Sequence, residues 1–260
     1  MNRSTPGKPR QGAAGNPSRA EGPRRGGRES AAARAERAEQ ICGRLAETYP
    51  DANCSLDFRS PFELTVATIL SAQCTDRRVN MVTGGLFRRW PDAARMAAAP
   101  QAALEAVIRT TGFFRAKAKN ILGCCQALVE RHGGEVPRSL AELVKLPGVG
   151  RKTANVVLGS AFGIPSGVVV DTHVGRIARR LGLTRHADAV RAERDLIACL
   201  KEPRWIEFSH RLIALGRAVC TARKPRCEAC PLADLCPRKG VSTGAAKAAG
   251  NGAGTAKRNR

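Results

Sequence analysis

The sequence is short of acid and has no long apolar run. Its 260 residues include only 22 acidic side chains against 44 basic ones. Nowhere does it approach the roughly 18–20 uninterrupted apolar residues of a membrane span, so no membrane partner is expected. The N-terminal charges have no apolar segment behind them, so they do not read as a secretory signal. Their Pro and Gly content argues against an amphipathic targeting helix as well. A cytoplasmic protein is the expectation. The shortage of acid leaves a formal charge of +22, which points to a polyanionic partner, nucleic acid being the commonest. Residues 1–36 (eight basic, three acidic) and 238–260 (six basic, no acidic) carry half of that excess. The other +11 lies on residues 37–237, so the part expected to fold is basic too.

Residues 1–36 are rich in Gly, Pro, Arg and Ser, and residues 240–260 in Gly, Ala and Lys. Both read as disordered tails. Between them the periodicity is helical. Helices are expected at Ala35–Tyr49, Phe62–Leu70, Ala93–Ala98, Leu104–Thr110, Ala116–Arg131, Leu140–Lys145, Lys152–Phe162, Val174–Leu181, Ala189–Cys199 and Trp205–Cys220. The run Val168–Val170 has strand composition but no strand to pair with, and is expected to be a buried extended link. The fold class predicted is all-α.

The richest segment is Leu140–Leu158, which contains LPGVGRKTANVVL. A short helix should end near Lys145, turn through Leu146-Pro-Gly-Val-Gly150 and start again near Arg151. Gly148 and Gly150 permit positive φ and leave backbone N–H groups open at the new helix start, where a phosphate oxygen can bind. This reads as a helix-hairpin-helix that grips a nucleic-acid backbone without reading its sequence; the plain alternative is an ordinary αα-hairpin loop. Lys152 lies in the first turn of the second helix. A cation there opposes the helix dipole, which favours the free amine, a nucleophile able to form a Schiff base with a sugar aldehyde. Taken alone it reads equally well as a phosphate contact beside Arg151. Asp171, between the apolar run and Thr172-His-Val-Gly-Arg, favours the first reading. It can take the lysine proton and stabilise a cationic sugar, and it can also cap the next helix.

Ten cysteines without an export signal favour metal binding over disulfides. Cys220, Cys227, Cys230 and Cys236 fall within 17 residues and can wrap one metal centre. Spacing alone leaves the metal open, although a zinc site more often shows two CxxC pairs and this segment has one. Cys42, Cys54, Cys74, Cys124, Cys125 and Cys199 lack ligand spacing and read as small buried apolar residues.

LPGVGRKTANVVL followed by VVVDTHVGRIARRLGL resembles the helix-hairpin-helix DNA glycosylase superfamily, and within it the endonuclease III family, over residues of about 37–239. The resemblance implies two helical domains with an active-site cleft between them. One is a six-helix domain over 54–164 containing the hairpin (about 140–159); the other, over 37–53 and 165–239, holds the iron–sulfur cluster. It gives Lys152 the Schiff-base role and Asp171 that of catalytic carboxylate; adenine–mismatch glycosylases of the superfamily usually lack this lysine. The spacing C-x6-C-x2-C-x5-C is similar to the family's [4Fe–4S] loop, which implies a structural cluster that exposes Arg223 and Lys224 to phosphates. Leu70-Ser-Ala-Gln-Cys-Thr-Asp76 resembles the segment whose glutamine, here Gln73, fills the gap left by an extruded base, with Cys74 as a departure. Thr111-Gly-Phe-Phe-Arg-Ala-Lys117 resembles the loop that pushes an apolar wedge into the duplex, here Phe113, where core packing of Phe113 or Phe114 is the plain alternative. DNA contacts are further implied at Leu146, Gly148, Val149, Gly150, Arg151 and His173. The activity implied is removal of oxidised pyrimidines from double-stranded DNA, with nicking at abasic sites, by a monomer associated with the nucleoid.

Overall fold

The computed structural model describes residues 29–241. The two expected tails lie mostly outside the described residues, but helix α1 (Ala31–Thr48) begins inside the first, so residues 31–36 are helix rather than tail. Every regular element among the described residues is helical, and the fold is all-α. Helices α2 (Pro61–Leu70), α3 (Asp76–Arg89), α4 (Ala93–Ala97), α5 (Gln101–Ile108), α6 (Phe114–His132), α7 (Leu140–Leu143) and α8 (Arg151–Phe162) share one apolar core. A second core joins α1 to α9 (Thr172–Arg180), α10 (Ala189–Cys199) and α11 (Trp205–Ala218).

At the centre of the first core is α2. Pro61 opens it and Ser60 caps it, accepting the amide of Glu63 at 3.2 Å, a device worth about 1 kcal/mol. Apart from Glu63, every residue from Phe62 to Leu70 is buried, so the helix is apolar around most of its circumference and is covered by α3, α6 and α8. The sequence pattern gives no warning of α3, because Gly84–Gly85 costs about 1 kcal/mol per glycine in a helix. It forms because Thr75 caps it, accepting the Arg78 amide at 3.3 Å, and because Val79, Thr83, Leu86 and Phe87 bury one face.

Helix α8 stops at Gly163, whose φ of +67° lets the Ile164 amide return to the Leu158 carbonyl at 2.9 Å. The chain then crosses to the second core as the extended link expected, burying Val168 and Val170, while the Val169 amide donates to Ser209 Oγ at 3.1 Å. Asp171 ends the link and starts α9. The halves also meet at Gly159, where an added Cβ would lie 3.2 Å from Ile206, and at Arg217, which donates to Asp76 at 2.7 Å and to Ser55 at 2.8 Å. These contacts bring the first turns of α8 and α9 to the rim of one cleft.

Candidate active site

The α7–α8 turn has the expected path but not the expected division of labour. Leu146 and Val149 are buried in the first core, so their side chains anchor the turn and only their backbone can reach a ligand. Gly148 has φ +77°, and a Cβ there would lie 2.8 Å from Asn120 Cβ, so only glycine fits. Gly150 does not use positive φ: it is the extended N-cap of α8, with φ −87° and ψ 173°. A Cβ at Gly150 would meet nothing within 4 Å, and no side chain caps the helix, so the first amides of α8 open onto an uncrowded surface.

Arg151 is not a free phosphate contact. Its guanidinium donates to both oxygens of Glu193 on α10, at 2.9 and 3.1 Å. Asn155 donates to the same carboxylate at 2.8 Å and accepts from Ser166 at 2.9 Å. The Glu193 side chain is 7 % exposed, so a buried charge is matched by one cation and one amide. An added Cβ on Gly167 would strike this group. The network fixes the start of α8 against the second core and leaves Lys152, the next residue, exposed.

Lys152, Asp171, Gln73 and His173 line one open cleft of about 1100 Å³. Asp171 is half-buried and fulfils its capping role, its Oδ1 accepting the Val174 amide at 2.7 Å, with the second carboxylate oxygen left over. Arg176 donates to His173 Nδ1 at 3.2 Å; a guanidinium cannot accept, so this nitrogen is the acceptor and the imidazole proton belongs on Nε2. The cleft is also lined by Ser55, Asp57, Asp76, Asn80, Met81 and Arg217, which the sequence reading missed. Only Asp76 lay in a segment it singled out; the others come from α3, α11 and the loop before α2.

Gln73, in the cleft, and Phe113, in the turn before α6, share an uncommon backbone conformation. Gln73 and Phe113 have φ of +52° and +47° and are both exposed, Phe113 at 66 %. Left-handed backbone in non-glycine residues costs about 1–2 kcal/mol each, so the surrounding loops must hold them there. The adjacent phenylalanines divide their roles: Phe114 packs on the first core with the Arg115 guanidinium 5.4 Å above its ring, and Phe113 projects.

Cys220, Cys227, Cys230 and Cys236 are free, half-buried thiols, and Cys220, Cys230 and Cys236 pack at the edge of the second core. Burial pushes the Cys230 and Cys236 thiols up, and the neighbouring thiols of the set add to it, which marks the four as one electrostatic group. Among the described residues, no three His, Cys, Asp or Glu side chains gather tightly enough to hold a single metal ion. The buried Arg180 donates to Cys220 Sγ at 3.1 Å and to the Thr221 and Ala222 carbonyls at 2.8 Å each. Four thiols unpaired in disulfides, with a guanidinium beside one sulfur, are a fitting donor set for an anionic iron–sulfur centre. Arg223 and Lys224, on the loop this set encloses, are exposed. Of the remaining cysteines, Cys42, Cys124, Cys125 and Cys199 are buried as expected; Cys54 and Cys74 are only half-buried, and Cys74 lines the cleft.

Residues 66–201 match the family model for the HhH-GPD superfamily base excision DNA repair protein, and residues 220–236 that for the iron-sulfur binding domain of endonuclease III. Endonuclease III of Synechocystis is 56 % identical over 206 residues, which are 79 % of this chain and 94 % of the relative. Endonuclease III of Escherichia coli K12 is 44 % identical over 203 residues, 77 % of this chain and 94 % of the relative. Among solved structures, a trapped endonuclease III–DNA covalent intermediate superimposes with a TM-score of 0.74 at 44 % identity, covering 78 % of this chain and 96 % of that one.

Proposed function

The chain belongs to the HhH-GPD superfamily of base-excision DNA repair proteins, and within it to the endonuclease III family, and from this we propose which of its residues carry out the chemistry. It is a DNA glycosylase with abasic-site lyase activity, it binds DNA, and it carries a [4Fe–4S] cluster. We assign Lys152 as the nucleophile and Asp171 as its catalytic partner. Cys220, Cys227, Cys230 and Cys236 are assigned as the cluster ligands. The observation that carries the catalytic pair is that both side chains line one cleft at the starts of two helices.

In this reading the open amides of α8 at Gly150 take a phosphate, and Arg223 and Lys224 take others. The damaged nucleotide is extruded into the cleft, because a stacked base is out of reach. The Lys152 amine forms a bond to C1′ as the bond from C1′ to the base breaks, the base leaving with the bonding pair. Asp171 stabilises the cationic sugar and accepts the amine proton. The sugar ring then opens at C1′–O4′, with O4′ taking up a proton, and the aminal becomes an iminium; this makes the C2′ proton acidic, and its removal expels the 3′ phosphate and nicks the strand. Gln73 fills the vacated stack and Phe113 wedges it open. When bound, the cluster supplies a fixed scaffold for the 221–226 loop and no redox step. The substrates are oxidised pyrimidines in double-stranded DNA, and the protein acts as a cytoplasmic monomer. No described helix is long and apolar enough to cross a membrane.

Borohydride trapping on a duplex with one thymine glycol, comparing wild type with Lys152→Ala, tests the assignment. A covalent adduct in the wild type alone is expected. An adduct only on a preformed abasic site would keep Lys152 and overturn the substrate class. Absence of any adduct would leave a DNA-binding module in which Lys152 has no covalent role.

A further inference from the structure

Lys117 is 4 % exposed, an unusual place for an ammonium. It projects from the first turn of α6, and Nζ donates to two backbone carbonyls, Leu70 at 2.8 Å and Thr111 at 2.7 Å. Leu70 is the last residue of α2, three residues before Gln73. Thr111 ends a turn of 3-10 helix, two residues before Phe113. One cation therefore joins two loops that are distant in sequence and that end in the left-handed residues Gln73 and Phe113.

Packing alone does not account for a charge here. Methionine has nearly the same length and would fill the site without desolvating an ammonium. What methionine lacks is the pair of charge-assisted hydrogen bonds that fix the two carbonyls relative to each other. That matters at this site in particular. Plug and wedge enter one helix whose base steps are about 3.4 Å apart, so their separation must be set before contact. We infer that Lys117 is a positioning residue that braces the Gln73 and Phe113 loops against each other, so that plug and wedge enter the duplex at one fixed spacing. Burial pushes the Lys117 ammonium below the usual lysine value, a cost consistent with a group kept for geometry. The inference rests on the roles given above to Gln73 and Phe113.

Its test compares base removal that requires insertion with chemistry that does not. Lys117→Met is assayed in single turnover on the thymine-glycol duplex, with 2-aminopurine opposite the lesion to report unstacking. In parallel, it is trapped by borohydride on a single-stranded abasic oligonucleotide. The expected result is base removal slowed roughly ten- to a hundredfold, a diminished unstacking signal and unchanged single-strand trapping. Lys117→Gln, which retains amide donors but falls short of one carbonyl, should lie between. Unchanged duplex activity, or equal losses on both substrates, would overturn the inference, as would insolubility of both variants, which would make Lys117 a folding residue. A wild type that traps the abasic strand but ignores every base lesion refutes the substrate class and this inference together. Wild-type duplex activity with an unaffected Lys117→Met refutes the inference alone.

Discussion

The Arg151 guanidinium closes on the Glu193 carboxylate through hydrogen bonds of 2.9 and 3.1 Å, one residue before the exposed Lys152. The pair crosses from the first core to the second, so it both orients the helix that carries Lys152 and ties the halves together. Arg151→Ala would leave Glu193 buried with only Asn155 as partner. The half-exposed position of Arg151 moderates the loss, which should be about 1–3 kcal/mol in urea unfolding. The salt dependence of DNA binding should keep its slope. A slope reduced by about one would show a phosphate contact instead.

Asp171 offers a clean separation of structure from chemistry. Its Oδ1 caps α9, and asparagine caps equally well. Asp171→Asn should therefore fold as the wild type does, whereas Asp171→Ala should lose about 0.5–2 kcal/mol. Both should slow base removal by roughly 10²–10⁴-fold. Lyase action on a preformed abasic site should suffer less, since no base has to leave. An Asp171→Asn enzyme with normal base removal would reduce Asp171 to a cap.

These residues show what a sequence makes legible. The Pro-Gly turn, the helix starts at Arg151 and Thr172, and the Cys220–Cys236 spacing are signals contained within a few residues. They could be read because their geometry is local. The roles of Glu193 and Lys117 were hidden because Arg151 lies 42 residues from Glu193 and Leu70 lies 47 residues from Lys117, and because a charge in a helical pattern ordinarily faces water. The Arg151–Glu193 pair was hidden for the same reason: the position at a helix start looks open, and only the fold brings α10 against it. The α3 helix was hidden by its paired glycines, whose cost is outweighed by tertiary burial of Val79 and Leu86.

The two glycines of the turn should respond differently. Gly148→Ala forces a side chain into left-handed backbone and against Asn120 Cβ at 2.8 Å, which should cost about 1–3 kcal/mol. Gly150→Ala meets open space at φ −87° and should cost about 0.5–1 kcal/mol, yet it places a methyl where a phosphate would rest. Unfolding midpoints and DNA affinity measured together should show stability lost at one position and affinity at the other. Affinity unaffected by Gly150→Ala would remove the α8 start from the DNA surface.

The buried thiols set a limit on alkaline stability. Burial pushes Cys42 and Cys124 up to about 12 and Cys199 up to about 11, from an ordinary value of 9.0. Above pH 9 the unfolded chain loses these protons while the folded chain retains them. The folded state then holds more protons, so stability falls as pH rises, by at most about 1.4 kcal/mol per thiol per pH unit. Below 9.0 the contribution is fully present. Urea midpoints should be level between about pH 7 and 8.5 and decline above that, and Cys124→Ala should make the decline shallower. In native protein at neutral pH, iodoacetamide should leave Cys42, Cys124, Cys125 and Cys199 unmodified while labelling Cys74 in the cleft. Rapid labelling of Cys124 would mean that the first core opens far more readily than its packing implies.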